Sequence, residues 1–131
     1  MPRYMLDTDT VSYALRGMGK VAARLLEHRP SELCVSSLTL AELRYGADLR
    51  RSRKLHGLIN DFVSGVQAVP FEAEAAAMFG SVAAGLTRSG TPIGEFDALI
   101  AAHALALDAT LVSNNTRHFH RVTGLRTENW V

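Results

Sequence analysis

The chain has 131 residues, 47% of them hydrophobic, with 14 Lys and Arg against 13 Asp and Glu and a formal net charge of +1. That length suits one domain, residues 1–131, with a substantial core, and the composition excludes global disorder. The balanced charge argues neither for nor against a nucleic-acid partner, and the single cysteine, Cys34, excludes an internal disulfide and a thiolate metal cluster.

In chain order, residues 3–6 predict a short strand and residues 8–15 a helix stopped by Gly17 and Gly19. Residues 20–29 predict a second helix, with Val21, Leu25 and Leu26 on its apolar side and Pro30 as its end. A buried strand follows at residues 33–35, and the inert, buried reading suits Cys34 within it. Ser36, Ser37 and Thr39 offer hydroxyl caps for a helix running to Arg50. Residues 55–63 predict another helix, 66–69 a strand and 72–88 an alanine-rich helix ending near Gly90. The last predicted elements are a helix at 96–107, a strand at 110–113 and a short strand at 125–127. The apolar run at 98–107 is broken by His103 and is too short to cross a bilayer, and no early apolar run has signal-peptide length. A cytoplasmic location is the expectation.

Short apolar strands alternating with helices predict a parallel sheet covered on both faces. Such sheets bind ligands beyond the carboxyl ends of their strands. Asp7 follows the first strand, Glu42 lies near the start of the helix after the second, and Asp97 near the start of the helix before the fourth. Asn114 and Asn115 follow the fourth strand directly. Three carboxylates converging on one rim repel one another and resist burial. A hard divalent cation, Mg2+ or Mn2+, offsets that and binds phosphate oxygens, so the pattern points to metal-assisted phosphoryl chemistry with Asp7, Glu42 and Asp97 as ligands. Asp9 suits a supporting or capping role, and His103 suits a satisfied core histidine.

Twelve of the 14 basic residues are Arg, the better bidentate phosphate binder. Arg50, Arg51, Arg53 and Lys54 form one basic run; Arg117, His118 and Arg121 follow the proposed site. Both groups are candidates for contacts with a nucleic-acid backbone. No aromatic RNA-recognition sequence or zinc module accompanies them, so base specificity is not readable.

Four segments, MLDTDTVSYALRG, CVSSLTLAELRYGA, PIGEFDALIAAHALALDATLVSNNTRHF and GLRTENW, stand in the order and spacing of the PIN-domain ribonucleases. Over nearly its whole length the chain resembles the VapC toxins of bacterial type II toxin–antitoxin pairs. That resemblance implies an α/β fold, a three-layer α/β/α sandwich on a short parallel sheet, usually dimeric. It implies a metal-dependent endoribonuclease, a toxin that inhibits translation by cutting RNA, often transfer RNA. Asp7, Glu42 and Asp97 match the family's metal-binding acidic set, and Asn114, Asn115 and Thr116 match its supporting polar stretch. It also implies a VapB-type antitoxin partner that fills the acidic pocket and carries the contact with operator DNA. Two positions depart from the pattern. Asp9 stands where Asn is common, and His118 where close relatives often carry Glu, so a further carboxylate is missing. That leaves open an impaired PIN-like domain that binds RNA or a partner without cutting. A second alternative is a haloacid-dehalogenase-like phosphatase, whose DxDxT signature LDTDT fits, with Asp7 as nucleophile, Asp9 as acid–base group and Ser36 after a strand.

Overall fold

The computed structural model describes residues 2–131. Its elements are β1 (Tyr4–Leu6), α1 (Thr8–Leu15), α2 (Val21–Leu26), a 3-10 turn (Pro30–Glu32), β2 (Leu33–Ser36), α3 (Ser37–Leu49) and α4 (Arg53–Gly65). Then come β3 (Gln67–Val69), α5 (Ala73–Arg88), α6 (Glu95–Ala106), β4 (Thr110–Val112), α7 (Thr116–Phe119) and β5 (Thr127–Glu128). The strands form one five-stranded sheet in the order β3-β2-β1-β4-β5. Every neighbouring pair is parallel.

Strand periodicity of two divides the core. Met5, Cys34 and Leu111 pair across β1, β2 and β4 and face one cluster, with Ile100, Ala104, Leu86 and Phe119 from α6, α5 and α7. Leu6, Val35 and Val112 face the other, with Val11, Leu43, Ile59 and Trp130. The result is the expected three-layer α/β/α sandwich. Burial pushes the Cys34 thiol up to about 12, as an inert core cysteine requires.

Three expectations need correction. The helix expected over residues 20–29 ends at Leu26, and Pro30 begins the 3-10 turn instead of ending a helix. Arg29, the residue before that proline, is extended at φ −72 and ψ 145, the conformation that proline imposes on its predecessor. Leu26, expected on the apolar side, is 89% exposed. The last strand lies at Thr127–Glu128, because Thr127 and Glu128 pair with Leu111 and Val112.

From β1 the chain moves outward through β2 to β3, then crosses to the other side of β1 for β4 and β5. The direction of winding therefore switches between β1 and β4. A crevice opens where neighbouring strands send their connections to opposite faces, and Asp7 stands at that point.

Candidate active site at the carboxyl edge of the sheet

Asp7 follows β1 and serves as the N-cap of α1, its Oδ1 accepting a 2.9 Å hydrogen bond from the Thr10 amide. The Val112 carbonyl, at the end of β4, accepts from both the Asp7 amide at 3.0 Å and the Thr10 hydroxyl at 3.1 Å. These bonds lock the start of α1 onto the neighbouring strand. Asp7 is buried. Burial raises its carboxyl pKa, opposed by hydrogen bonds from Ser113 and Thr10 and reinforced by the charge of Asp9. A capping role alone needs no such burial, so Asp7 both caps the helix and lines the rim.

Glu42 lies in the second turn of α3, a helix capped by Ser36 through the Leu38 amide. The Thr8 hydroxyl donates to Glu42 Oε1 and lies 3.3 Å from the Thr39 hydroxyl. Desolvation raises the Glu42 pKa, the Thr8 bond opposes it, and the charges of Asp97, Asp9 and Asp7 raise it further. Asp97 sits in the first turn of α6. Its Oδ2 lies 3.0 Å from His118 Nε2. Desolvation raises the Asp97 pKa, His118 opposes it, and Asp9 adds to it. Glu42 thus feels the charges of all three aspartates, and Asp7 and Asp97 both feel that of Asp9, although 90 residues separate Asp7 from Asp97 in the chain.

Each of the three buried or half-buried carboxylates has its own hydrogen-bond donor. Among the described residues, no three His, Cys, Asp or Glu side chains form a ready-made metal ligand cluster. The chemistry of the donor set nonetheless fits a hard divalent cation. The donors are all oxygens, and their proton affinities are raised by burial and mutual repulsion, which a cation reverses.

The other expected site residues divide. Asn114 is exposed, and its Oδ1 accepts a 3.2 Å bond from Asn129 Nδ2. Asn115 contributes through its backbone, whose N–H donates to Ser113 Oγ at 2.9 Å. Thr116 is half-buried at the start of α7. Arg51, Arg53, Lys54 and Arg117 are exposed. Arg50 borders a cleft of about 250 Å³ that runs from Thr8, Asp9 and Glu42 toward Arg16. Arg121 reaches the Pro92 carbonyl at 3.3 Å.

Thr8, Ser113 and Thr39 join the site without having been singled out from the sequence. Ser113 had a readable signal: a small hydroxyl residue directly after a strand, at the rim where buried carboxylates need donors. Thr8 had one too, wedged between Asp7 and Asp9. Ser36, by contrast, is fully buried, caps α3 and bonds the ring of His103, while Lys20 and Lys54 are exposed. That arrangement removes the phosphatase alternative, which needs a free Ser36 and a lysine at the site.

A PIN domain is matched over residues 4–125. The chain belongs to the PIN-domain family. This PIN domain is 42% identical to Ribonuclease VapC2 of Haemophilus influenzae over 132 aligned residues, with 100% of both chains covered. It is 37% identical to the tRNA(fMet)-specific endonuclease VapC of Shigella flexneri, with 99% of each covered. Among solved structures, DNA-bound VapBC from Salmonella typhimurium matches at a TM-score of 0.92 and 34% identity over 100% of both chains. VapBC2 from Rickettsia felis, bound to a promoter DNA fragment, matches at 0.87 and 34% over 98% of both. Within the family the domain groups with the VapC ribonucleases. No helix among its described residues is long and apolar enough to cross a membrane.

Proposed function

We propose that this VapC-family chain is an endoribonuclease toxin that hydrolyses RNA phosphodiester bonds with Mg2+ or Mn2+ held by Asp7, Asp97 and Glu42. The observation that carries this reading is the convergence of those carboxyls on the switch point of the sheet, with pKa values raised by burial, by the charge of Asp9 and, for Glu42, by the charges of Asp97 and Asp7 as well. A divalent cation, when bound, supplies Lewis acidity and lowers the pKa of water.

The chain's own groups would do the rest. Asp7 is the most rigid of the three, fixed by Ser113 and Thr10. Glu42 is half-buried and steered by the Thr8 hydroxyl, which suits it to orient the attacking water and accept its proton. Water adds to phosphorus, the bond to the 3′ oxygen breaks, and that oxygen takes a proton. The products carry a 5′-phosphate and a 3′-hydroxyl. The ribose 2′-hydroxyl is no nucleophile in this route, so RNA is selected by shape and flanking contacts. Arg50, Arg51, Arg53 and Lys54 on one side, and Arg117 and Arg121 on the other, are suited to track the phosphate backbone.

Transfer RNA is the first substrate class to try, given the name carried by the Shigella relative. The two solved relatives named above are both VapBC complexes on DNA, which supports a VapB-type antitoxin as partner and operator contact only through it. A homodimer and a cytoplasmic location complete the reading. One rival, a domain that binds RNA without cutting it, rests on His118 standing where close relatives often carry a carboxylate.

The test is cleavage of total cellular RNA by antitoxin-free protein with EDTA, Mg2+ or Mn2+, with product ends mapped. Metal-dependent cuts bearing 5′-phosphates are expected. A 2′,3′-cyclic phosphate end refutes external water as the nucleophile. Metal-independent RNA binding with no cleavage by folded protein supports the rival.

A further inference from the structure

The helix that carries Asp97 begins in an unusual way. Gly94 is the N-cap of α6 at φ +93, and no side chain caps the helix. A Cβ at Gly94 would meet nothing within 4 Å, so the glycine serves its backbone angle and not a tight contact. The segment before α6 is therefore held from elsewhere. Ile93 is buried in the core cluster that includes Phe119 of α7. Two successive carbonyls of this segment are gripped from the α7 region. Arg121 donates to Pro92 O at 3.3 Å, and His118 Nε2 lies 2.6 Å from Ile93 O.

The same His118 Nε2 lies 3.0 Å from Asp97 Oδ2. Both neighbours are acceptors, so this nitrogen carries a proton and shares it between them. The imidazole is itself steadied edge-on against Phe119, with ring centroids 5.5 Å apart at 79°. One N–H group thus ties the backbone entering α6 to a carboxylate in its first turn. The Asp97 side chain is 47% exposed, so packing alone does not choose its rotamer. The His118 bond does, and it engages only one of the two carboxylate oxygens.

We propose that His118 is a positioning residue for the cation site: its Nε2–H, bridging Ile93 O and Asp97 Oδ2, holds the Asp97 carboxylate in the orientation that binds the divalent ion. This rests on the reading of Asp97 as a ligand given above. Hydrogen-bond partners that orient metal-binding carboxylates set affinity as well as geometry, and removing one weakens binding by about 10–100-fold.

The experiment is Mn2+ titration of the purified chain by calorimetry and by loss of the free-ion electron paramagnetic resonance signal. Wild type is compared with D97N, H118L, H118Q and H118N. D97N tests the underlying reading alone: unchanged Mn2+ affinity in that variant means Asp97 is no ligand, and the site assignment fails before His118 is at issue. With D97N weakened, H118L is expected to bind Mn2+ about 10–100-fold more weakly. H118Q, whose amide N–H reaches as far as Nε2, recovers most of the loss. H118N, a bond shorter, does not. Cleavage by H118L should recover as Mn2+ is raised, separating ion affinity from the chemical step. Unchanged or tighter Mn2+ binding by H118L overturns the proposal, because His118 is then a bystander or a competitor for Asp97. Should H118L fail to fold, equal Mn2+ affinity of H118Q and H118N overturns it in the same way.

Discussion

Neighbouring strands β2 and β1 end in polar residues with opposite fates. Ser36, at the end of β2, accepts from the Leu38 amide at 3.1 Å and lies 2.8 Å from His103 Nδ1. The His103 ring also bonds the Pro70 carbonyl, and burial lowers its pKa, which keeps it neutral at physiological pH. Every partner in that cluster is matched. Asp7, just past β1, is buried too, yet its burial leaves a carboxyl with raised pKa facing other carboxylates. Buried polar groups with complete partners specify structure. Buried like charges that the fold leaves unbalanced are features of a site. The two clusters should therefore fail differently when broken.

The largest expected effect is loss of cleavage in D7N. Asn keeps a capping oxygen for the Thr10 amide, so α1 retains its N-cap. Activity on RNA should fall by about 1000-fold or more, roughly 4 kcal/mol of transition-state stabilisation. In EDTA at pH 7 the melting temperature should stay level or rise, since a buried charge is removed. An unfolded D7N protein would show that the carboxylate is structural. Unchanged cleavage would place the chemistry elsewhere.

Next is the pH dependence of the metal-free fold. Asp7, Asp97 and Glu42 all have raised pKa values when folded. Their contribution to stability is fully present below the unfolded values of 3.8 for the aspartates and 4.5 for Glu42, and is lost as pH rises through the raised folded values. In EDTA, a D7N/D97N double variant should therefore outlast wild type at pH 7, with the gap closing toward pH 4. Mg2+ should stabilise wild type at pH 7, by about 2.7 kcal/mol at 100 times its dissociation constant, and leave the double variant unmoved. A wild-type advantage in EDTA at pH 7 would mean the rim is balanced by cations of the protein itself.

The matched cluster gives the mirror result. H103L leaves the buried Ser36 hydroxyl without its imidazole partner, at about 1–3 kcal/mol for an unsatisfied group. Thermal unfolding should come earlier, while cleavage per folded molecule stays at the wild-type level. His103 has a lowered folded pKa, so its contribution is present above the unfolded value of 6.5 and lost as pH falls. The gap between wild type and H103L should narrow in acid. Loss of cleavage without loss of stability would move His103 into the site.

This contrast also marks what could be read from the sequence. Strand–helix alternation was enough to place Asp7, Glu42 and Asp97 at one rim, because a parallel sheet sends every strand's carboxyl end the same way. It was enough for the start of α1 and for α5 and α6 to within a residue or two. The four-residue helix α7 was missed, since one turn of TRHF has no periodicity to detect. The shift of β5 to Thr127–Glu128 depends on pairing with β4, a register that local composition does not encode. The pairing of donors with carboxylates was missed for the same reason. Thr8 meets Glu42 across 34 residues and His118 meets Asp97 across 21, and no local pattern says which donor finds which carboxylate.

The smallest predicted effect belongs to the Thr8 hydroxyl. It donates to Glu42 Oε1, and that bond holds the Glu42 pKa down against desolvation and the charges of Asp97, Asp9 and Asp7. T8V keeps the branched shape and removes the donor. The Glu42 pKa should then rise further, and a larger fraction of Glu42 is protonated in mild acid. Because metal binding needs the deprotonated carboxylate, T8V should weaken Mn2+ binding more at pH 6 than at pH 8. A hydrogen bond to a charged group is worth about 1.5–3 kcal/mol when buried, and the partial exposure of Glu42 discounts it, so the acid-side loss is about 10-fold at most. An equal loss at both pH values would show that Thr8 acts by shape alone. No loss at either would detach Glu42 from the ion and leave it the water-orienting role only.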